Sequence, residues 1–453
     1  MTDTAINEYY PQNPEEEAPK SLVAGEAPAP PDEPVTEPVT EEAPLMAEPV
    51  RPHANPEEAL PTSEATPEEW KEALGITPTE VTDLGIDLPD IPLPDDDPLE
   101  DGVKDEFSDA AFNFAIVGVG QGGSRLAESF WNLGYRRVGV INTAQQDLSL
   151  IKIPEENKLL IGEGGAGKNP EAADEVFRTR YEDILDFLKK VFGNGYERVL
   201  VCAGAGGGTG AGGVARVLDI CHDLSQSLGK EKKDTDAKIG CILALPTRGE
   251  GLKVQENSKK TVLKTLGLQK AGVVSPLIIL DNEKIKQLYP KLSVNQFWGT
   301  ANNSICSIFH LFNKISAKES AYTTFDKADL DTIFSSGLIM FGATPVKDYT
   351  DTGISYAVRD NLRKNILAGI DASTGNVAAC VIIGDKDSLD KIPQASLEHG
   401  FEQLSRMMGK ESTVHRGIYA GAKEGVAVYT AIGGLQAPDT LFDYFFKVDR
   451  VYK

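Results

Sequence analysis

The sequence has few cysteines, no long apolar run and no general surplus of basic residues, and each shortage removes a class of protein. Five cysteines (Cys202, Cys221, Cys241, Cys306 and Cys380) in 453 residues are odd in number and form no CxxC pair. Neither a disulfide framework nor a thiolate metal site is expected. Most of them sit within apolar runs, which reads as buried free thiols in a reducing compartment. No apolar stretch approaches the ~18 residues that a membrane-spanning helix needs. The segment Met1–Tyr10 has neither a basic start nor an apolar core, so no secretory leader is expected there. A soluble, cytoplasmic protein fits these absences. From residue 111 to 453 there are 41 Lys and Arg against 39 Asp and Glu, so no electrostatic footprint for direct nucleic-acid binding is indicated.

Acid and proline are plentiful, but only at the start. Residues 1–110 contain 30 acidic and 4 basic residues, and 19 of the 27 prolines. Such a segment buries too little apolar surface to offset the entropy of ordering, so a disordered acidic arm is expected. Two stretches in it are candidates for ordering on an adaptor protein. One is Thr66–Leu74, with Trp70 and Leu74 one helical turn apart; the other is Leu84–Leu93, where apolar residues alternate with acids. A solvated spacer is the simpler reading of the arm.

From Ala111 onward, short apolar runs alternate with amphipathic stretches. Strands are expected at Phe112–Val117, Arg136–Ile141, Leu159–Ile161, Arg198–Ala203, Ile239–Leu245 and Pro276–Leu280. Helices are expected at Ser124–Leu133, Glu171–Phe192, Ala211–Leu228 and Leu252–Ala271. This alternation predicts an α/β domain with a doubly wound parallel sheet. A long helix follows over Gln296–Ile315, where Trp298, Ala301, Ile305, Ile308, Phe312 and Ile315 recur at helical spacing along one face. Beyond it the strands come closer together and predict a smaller α+β second domain. The resulting division is an arm (1–110), a nucleotide-binding domain (111–290), a central helix (291–316) and a second domain (317–453).

Three glycine-rich loops carry the chemistry. Gly118-Val119-Gly120-Gln121-Gly122-Gly123 satisfies GxGxxG between a strand and a helix, a place where backbone N–H groups meet phosphates. A dinucleotide site also needs an acid about 20 residues on, and here the next strand ends Ile141-Asn142-Thr143. Gly162–Asn169 nearly spells a P-loop, but Asn169 stands where the Mg²⁺-binding hydroxyl belongs. The third, Gly204–Gly213, has seven glycines in ten residues. One tight turn packed against a neighbour needs only one or two, so a phosphate cradle is expected, with Thr209 offering both a helix cap and a hydroxyl.

Together these residues resemble the tubulin/FtsZ family, whose signature is GGGTG, a small residue and glycine. Gly206-Gly207-Gly208-Thr209-Gly210-Ala211-Gly212 matches it, and the resemblance runs from 112 to 453. Gly120-Gln121-Gly122-Gly123-Ser124 is similar to tubulin's first nucleotide loop. Ile141–Leu148, with Asn142, is similar to FtsZ's second, and Gly164–Glu171 to its third, with Gly165, Ala166, Gly167 and Asn169. The resemblance implies that these loops bind GTP or GDP with Mg²⁺; no residue is assigned as a metal ligand. It further implies that Glu250 holds the sugar, that Trp298 stacks on guanine and that Asn302 reads its edge. Placing Trp298 only in the core, or Asn302 only in solvent, is the bland alternative. Arg125 departs from the pattern, standing where FtsZ has a guanine-contacting Asn.

Thr324-Phe325-Asp326-Lys327-Ala328-Asp329 resembles FtsZ's NxDFAD, with Thr324 in place of the Asn. In that family this loop enters the next subunit's nucleotide site, so Asp326 and Asp329 are the candidate catalytic acids. They would orient the attacking water in a site that otherwise lacks a base. The alternative is that both simply cap the next helix. The expectation is a GTPase that assembles head to tail into protofilaments; a non-polymerising nucleotide switch or scaffold acting through the arm is the second reading. FtsZ proteins recruit partners through a C-terminal peptide. None is expected in a chain whose second domain runs almost to Lys453, so a division-ring role is expected only if the acidic arm has taken over recruitment, and no residue chooses between cargo positioning and cell shape.

Overall fold

The computed structural model describes residues 110–441 apart from 228–238, 291–292, 351, 364, 366–368, 422–423 and 439–440. Apart from Ala110, the acidic arm and both its candidate docking stretches lie outside the described residues.

Six strands form the first sheet: β1 (Phe114–Val119), β2 (Val138–Asn142), β3 (Lys158–Leu160), β4 (Arg198–Gly204), β5 (Ile239–Leu245) and β6 (Leu277–Asp281). Their order is β3-β2-β1-β4-β5-β6, with every pairing parallel. Parallel strands need helical crossovers, which cover both faces; that is why β1, β4, β5 and β6 read as unbroken apolar runs. Alternate residues feed two hydrophobic layers. Ala115, Val117, Val201 and Leu243 point into one, with Phe177, Ile184, Val214 and Val262. Phe114, Ile116, Cys202 and Ile242 point into the other, with Leu126, Phe130, Phe309 and Phe334. The sheet is doubly wound, as the alternation predicts.

The helices of this sheet are α1 (Gly120–Asn132), α2 (Gln145–Ser149), α3 (Pro170–Thr179), α4 (Tyr181–Phe192), α5 (Thr209–Ser227), α6 (Leu252–Lys270) and α7 (Asn282–Leu288). Two boundaries differ from expectation. The single helix expected over Glu171–Phe192 is two, separated at Arg180 (φ −102°, ψ 23°). The helix expected from Ser124 begins at Gly120, so the first glycine loop is itself the opening turn of α1.

The long helix α8 (Val294–Ile315) buries Ile305, Phe309 and Phe312 against one sheet face. After α9 (Lys327–Phe334), a second sheet has the order β7-β10-β8-β9: β7 (Met340–Val346), β8 (Val377–Gly384), β9 (Thr413–Ala420) and β10 (Val426–Gly433). It is mixed: β10 runs antiparallel to β7 and β8, whereas β9 runs parallel to β8. Helices α10 (Gly353–Arg363), α11 (Lys386–Leu389) and α12 (Gln394–Met407) complete it. A parallel bridge between Leu277 and Leu338 joins the start of β6 to the approach of β7.

The five cysteines are free and buried. Burial raises their thiols, Cys241 and Cys380 to about 12; held as neutral thiols, they are core residues rather than nucleophiles. Among the described residues no helix is long and apolar enough to cross a membrane.

Candidate functional site

A cavity of about 400 Å³ opens at the carboxyl ends of β1, β4 and β5, where Val119, Gly204, Ala244 and Leu245 form part of its wall. In this sheet order the direction of winding reverses between β1 and β4, and a crevice forms at that point. The N-terminal turns of α1 and α5 contribute Gln121 and Gly122 on one side and Thr209 and Gly210 on the other. Two helix N-termini, with their unsatisfied N–H groups and positive dipole ends, thus border one cavity, a setting that favours an anion.

Close packing explains most of the glycines in the third loop. A Cβ at Gly206 would meet Val254 Cγ1 at 2.5 Å, one at Gly208 would meet Ala166 Cβ at 2.7 Å, and one at Gly210 would meet the Gly204 carbonyl at 2.7 Å. Gly212 and Gly213 lie against Pro170 and the Phe177 ring. The glycine density therefore first serves to bring three loops into van der Waals contact, contrary to the reading that packing needs only one or two. Gly207 differs. It is exposed, lines the cavity, and a Cβ there would meet no protein atom within 4 Å.

Hydroxyl and amide groups tie the loops together. The Thr143 and Thr209 hydroxyls share a hydrogen bond of 2.6 Å. Asn257, on α6, donates to the carbonyls of Lys168 (3.0 Å) and Gly206 (3.3 Å). Asp147 accepts from Gln121 Nε2 (3.2 Å) and Asn142 Nδ2 (3.3 Å).

Thirteen of the predicted binding residues line the cavity: Gln121, Gly122, Gly165, Ala166, Gly167, Gly206, Gly207, Gly208, Thr209, Gly210, Glu250, Trp298 and Asn302. Four do not. Gly120 adopts φ +67° and packs on the backbone of Gly210, while Gly123 lies against the Cys202 carbonyl. Asn142 is fully buried and holds Asp147. Asn169 caps α3, accepting from the Ala172 N–H at 3.3 Å. These four support the walls of the cavity. Motif matching assigns a residue to a loop, whereas contact depends on which way the backbone turns there. Glu250 lines the cavity but also accepts from the Thr247 N–H at 2.7 Å, closing its own turn.

The sequence reading missed Asp147, Lys168 and Asn282, which also line the cavity. Asp147 and Lys168 lie in the second and third loops, and Asn282 directly follows the acid that ends β6; position in those loops was the available signal. Arg125 lines the same cavity as Trp298 and Asn302, so the position at which this chain departs from the family's Asn belongs to the site.

The description "Tubulin/FtsZ family, GTPase domain" matches residues 113–290. The tubulin-like protein CetZ of Pyrococcus furiosus is 34% identical over 339 residues, which covers 71% of this chain and 84% of that protein. The chain belongs to the tubulin/FtsZ family. Its match to tubulin-like TubZ of Bacillus cereus is 25% identical and covers 49% of this chain and 51% of TubZ, so the chain spans about half the length of that relative. The fold is that of the GTPγS-form TubZ protofilament from Bacillus thuringiensis serovar israelensis: TM-score 0.66 at 15% identity, over 76% of this chain and 92% of that one.

In this tubulin/FtsZ-family chain, Asp326 and Asp329 do not line the cavity. They form a capping box on α9. Asp326 Oδ1 accepts from the N–H groups of Ala328 (2.8 Å) and Asp329 (2.9 Å), and Asp329 Oδ2 accepts from the Asp326 N–H (3.1 Å). The capping alternative is thus realised within the chain. Behind them, the buried Arg198 at the start of β4 pairs with Asp331 on α9 and lies over the Phe112 ring at 4.9 Å. Lys327 pairs with Glu197 at 2.6 Å. The loop and its helix are thereby fixed to the amino end of the first sheet, opposite the carboxyl end that bears the cavity.

Proposed function

We propose that this protein binds and hydrolyses GTP and assembles head to tail, each contact joining one chain's cavity to the next chain's 324–329 loop. The observation that carries the reading is the polarity of the molecule: the anion-favouring cavity lies at the carboxyl end of the sheet and the paired acids at the amino end. One chain then holds two halves of a hydrolytic site that cannot meet each other, but copies stacked along the sheet axis bring them together. Such a heterologous contact propagates as a filament. That the TubZ neighbour of the same fold forms a protofilament supports assembly of this chain into a filament.

In this reading the phosphates lie along Gly206–Gly210 and the N-terminal turn of α1, Trp298 stacks on the base, and Asn302 and Arg125 face its edge. Glu250 faces the sugar. The cavity wall carries two acids, Asp147 and Glu250, and the Thr209 hydroxyl. This donor set fits an Mg²⁺ ion bound mainly through phosphate oxygens, and the ion would neutralise charge on the transferring group. Asp326 and Asp329 of the adjacent copy orient the attacking water. Cytoplasmic residence, and recruitment of an adaptor by the acidic arm, belong to the same proposal.

The test is the GTPase rate per molecule against protein concentration, with sedimented filaments measured in parallel. Catalysis across the contact predicts a threshold followed by a rise that tracks polymer mass. A rate per molecule independent of concentration rejects it and favours a monomeric switch.

A further inference from the structure

One face of β9 holds the acid-bearing loop at three successive positions, and it does so with side chains that the loop motif does not include. His415, Gly417 and Tyr419 alternate along the strand and share that face. The Tyr419 hydroxyl accepts from the Phe325 N–H (2.8 Å) and donates to the Phe325 carbonyl (3.0 Å). At Gly417 a Cβ would meet Phe325 Cβ at 2.9 Å, so glycine there lets the fully buried Phe325 lie against the strand. A bridge between Thr323 and Ile418, and a Ser320 hydroxyl bonded to the Ile418 carbonyl, hold the loop's approach along the same strand.

His415 completes the set. Its Nδ1 lies 2.6 Å from Asp329 Oδ1. The other Asp329 oxygen is taken by the Asp326 N–H. Each carboxylate oxygen therefore has one partner among the described residues, which fixes the plane of the group, and the side chain remains about one-quarter exposed. The other ring nitrogen, Nε2, is buried and has no hydrogen-bond partner among the described residues. A carboxylate only accepts hydrogen bonds, so Nδ1, the nitrogen that faces Asp329, is the donor in this contact. Among the described residues the ring's one polar partner is thus the acid.

We infer that His415 is a positioning residue for hydrolysis: it orients the Asp329 carboxylate toward the water in the neighbouring copy's cavity. This rests on the cross-contact reading above. His415 touches neither nucleotide nor water, and it acts only through Asp329.

The experiment compares wild type, His415→Ala, His415→Asn, Asp329→Ala and the double variant His415→Ala/Asp329→Ala in the full chain. GTP affinity, critical concentration and turnover per polymerised subunit are measured for each. His415→Ala is expected to lower turnover by about 10-fold, less than the ~100-fold that a 1 Å misplacement can cost, with affinity and critical concentration within about 2-fold of wild type. His415→Asn, whose amide nitrogen can occupy the Nδ1 position, should recover most of the loss. The double variant should be no slower than Asp329→Ala alone. Unchanged turnover in His415→Ala overturns the inference. So does an Asn variant as slow as the Ala variant, or a double variant slower than Asp329→Ala by the full effect of His415→Ala. A wild-type rate per molecule that ignores concentration overturns the cross-contact reading itself and His415's role with it, whereas a concentration-dependent wild type with an unaffected His415→Ala overturns the role alone.

Discussion

At Gly207 and Gly208, neighbours in one loop, a single methyl group has two different meanings. The Gly208 methyl would press on Ala166 at 2.7 Å and on the Asn169 backbone nitrogen at 3.1 Å, whereas the Gly207 methyl would enter the open cavity. Gly208→Ala is therefore expected to cost about 1–3 kcal/mol of stability, as overpacking does, and to weaken nucleotide binding as the third loop is displaced. Gly207→Ala should leave the melting temperature unchanged while weakening GTP binding about 10-fold or more, since removing a hydrogen bond to a charged group costs about 1.5–3 kcal/mol. Thermal melts and titration with a fluorescent GTP analogue separate the two. Wild-type affinity in Gly207→Ala would remove the phosphate from this loop. The same contrast explains what was legible: glycine density in Gly204–Gly213 marked the loop, but which glycines serve packing and which serve a ligand depends on contacts with Val254, Ala166 and Phe177, all distant in sequence.

Among the elements, α9 connects stability to chemistry. Its N-terminus carries the capping box, and its middle carries Asp331, the partner of Arg198. Arg198 is buried, and its Nε and Nη1 have no hydrogen-bond partner among the described residues. Asp331→Ala leaves that guanidinium without its carboxylate and is expected to destabilise by about 2–3 kcal/mol in chemical denaturation. That lies at or below the low end for broken buried pairs, because Asp331 is partly exposed. Arg198→Met, which removes the charge and keeps the apolar contact with Phe112 and Phe334, should cost markedly less. Asp326→Ala removes an N-cap and should cost about 1 kcal/mol. Asp329→Ala should keep GTP binding, lose turnover and leave filaments that persist longer; loss of binding would count against its role. The spacing of the two acids is that of a helix cap, which Asp326 and Asp329 form at the N-cap and in the first turn of α9, but the pairing of Asp329 with His415 joins residues 86 positions apart and has no local signature.

For the whole molecule, the separation of cavity and loop onto opposite ends of one sheet makes a stoichiometric prediction. A cavity-defective chain such as Gly207→Ala keeps its loop, and Asp329→Ala keeps its cavity. In a filament co-assembled from equal amounts, a contact with an intact cavity and an intact loop arises at about one in four, because each heterologous contact takes one half from each chain. At a GTP concentration that loads the wild-type cavity but not that of Gly207→Ala, neither variant alone should turn over appreciably, and the mixture should recover about one quarter of the wild-type rate per polymerised subunit. A mixture no faster than the sum of its parts would place both halves of the site in one chain.

The sequence alone determined the alternation of strands and helices, the three glycine loops in their order and the family they indicate. These rest on local periodicity and short spacings, which backbone geometry imposes on any chain. It also marked Trp298 and Asn302, which both reach the cavity. Only the tertiary structure decided that Gly120, Gly123, Asn142 and Asn169 support the cavity rather than line it, and that Asp147 and Arg125 belong to its wall. It likewise decided that β9 holds the loop bearing Asp329. Each of these depends on which surfaces meet when the sheet closes its crossovers, and contacts between distant segments are set by packing rather than by local pattern.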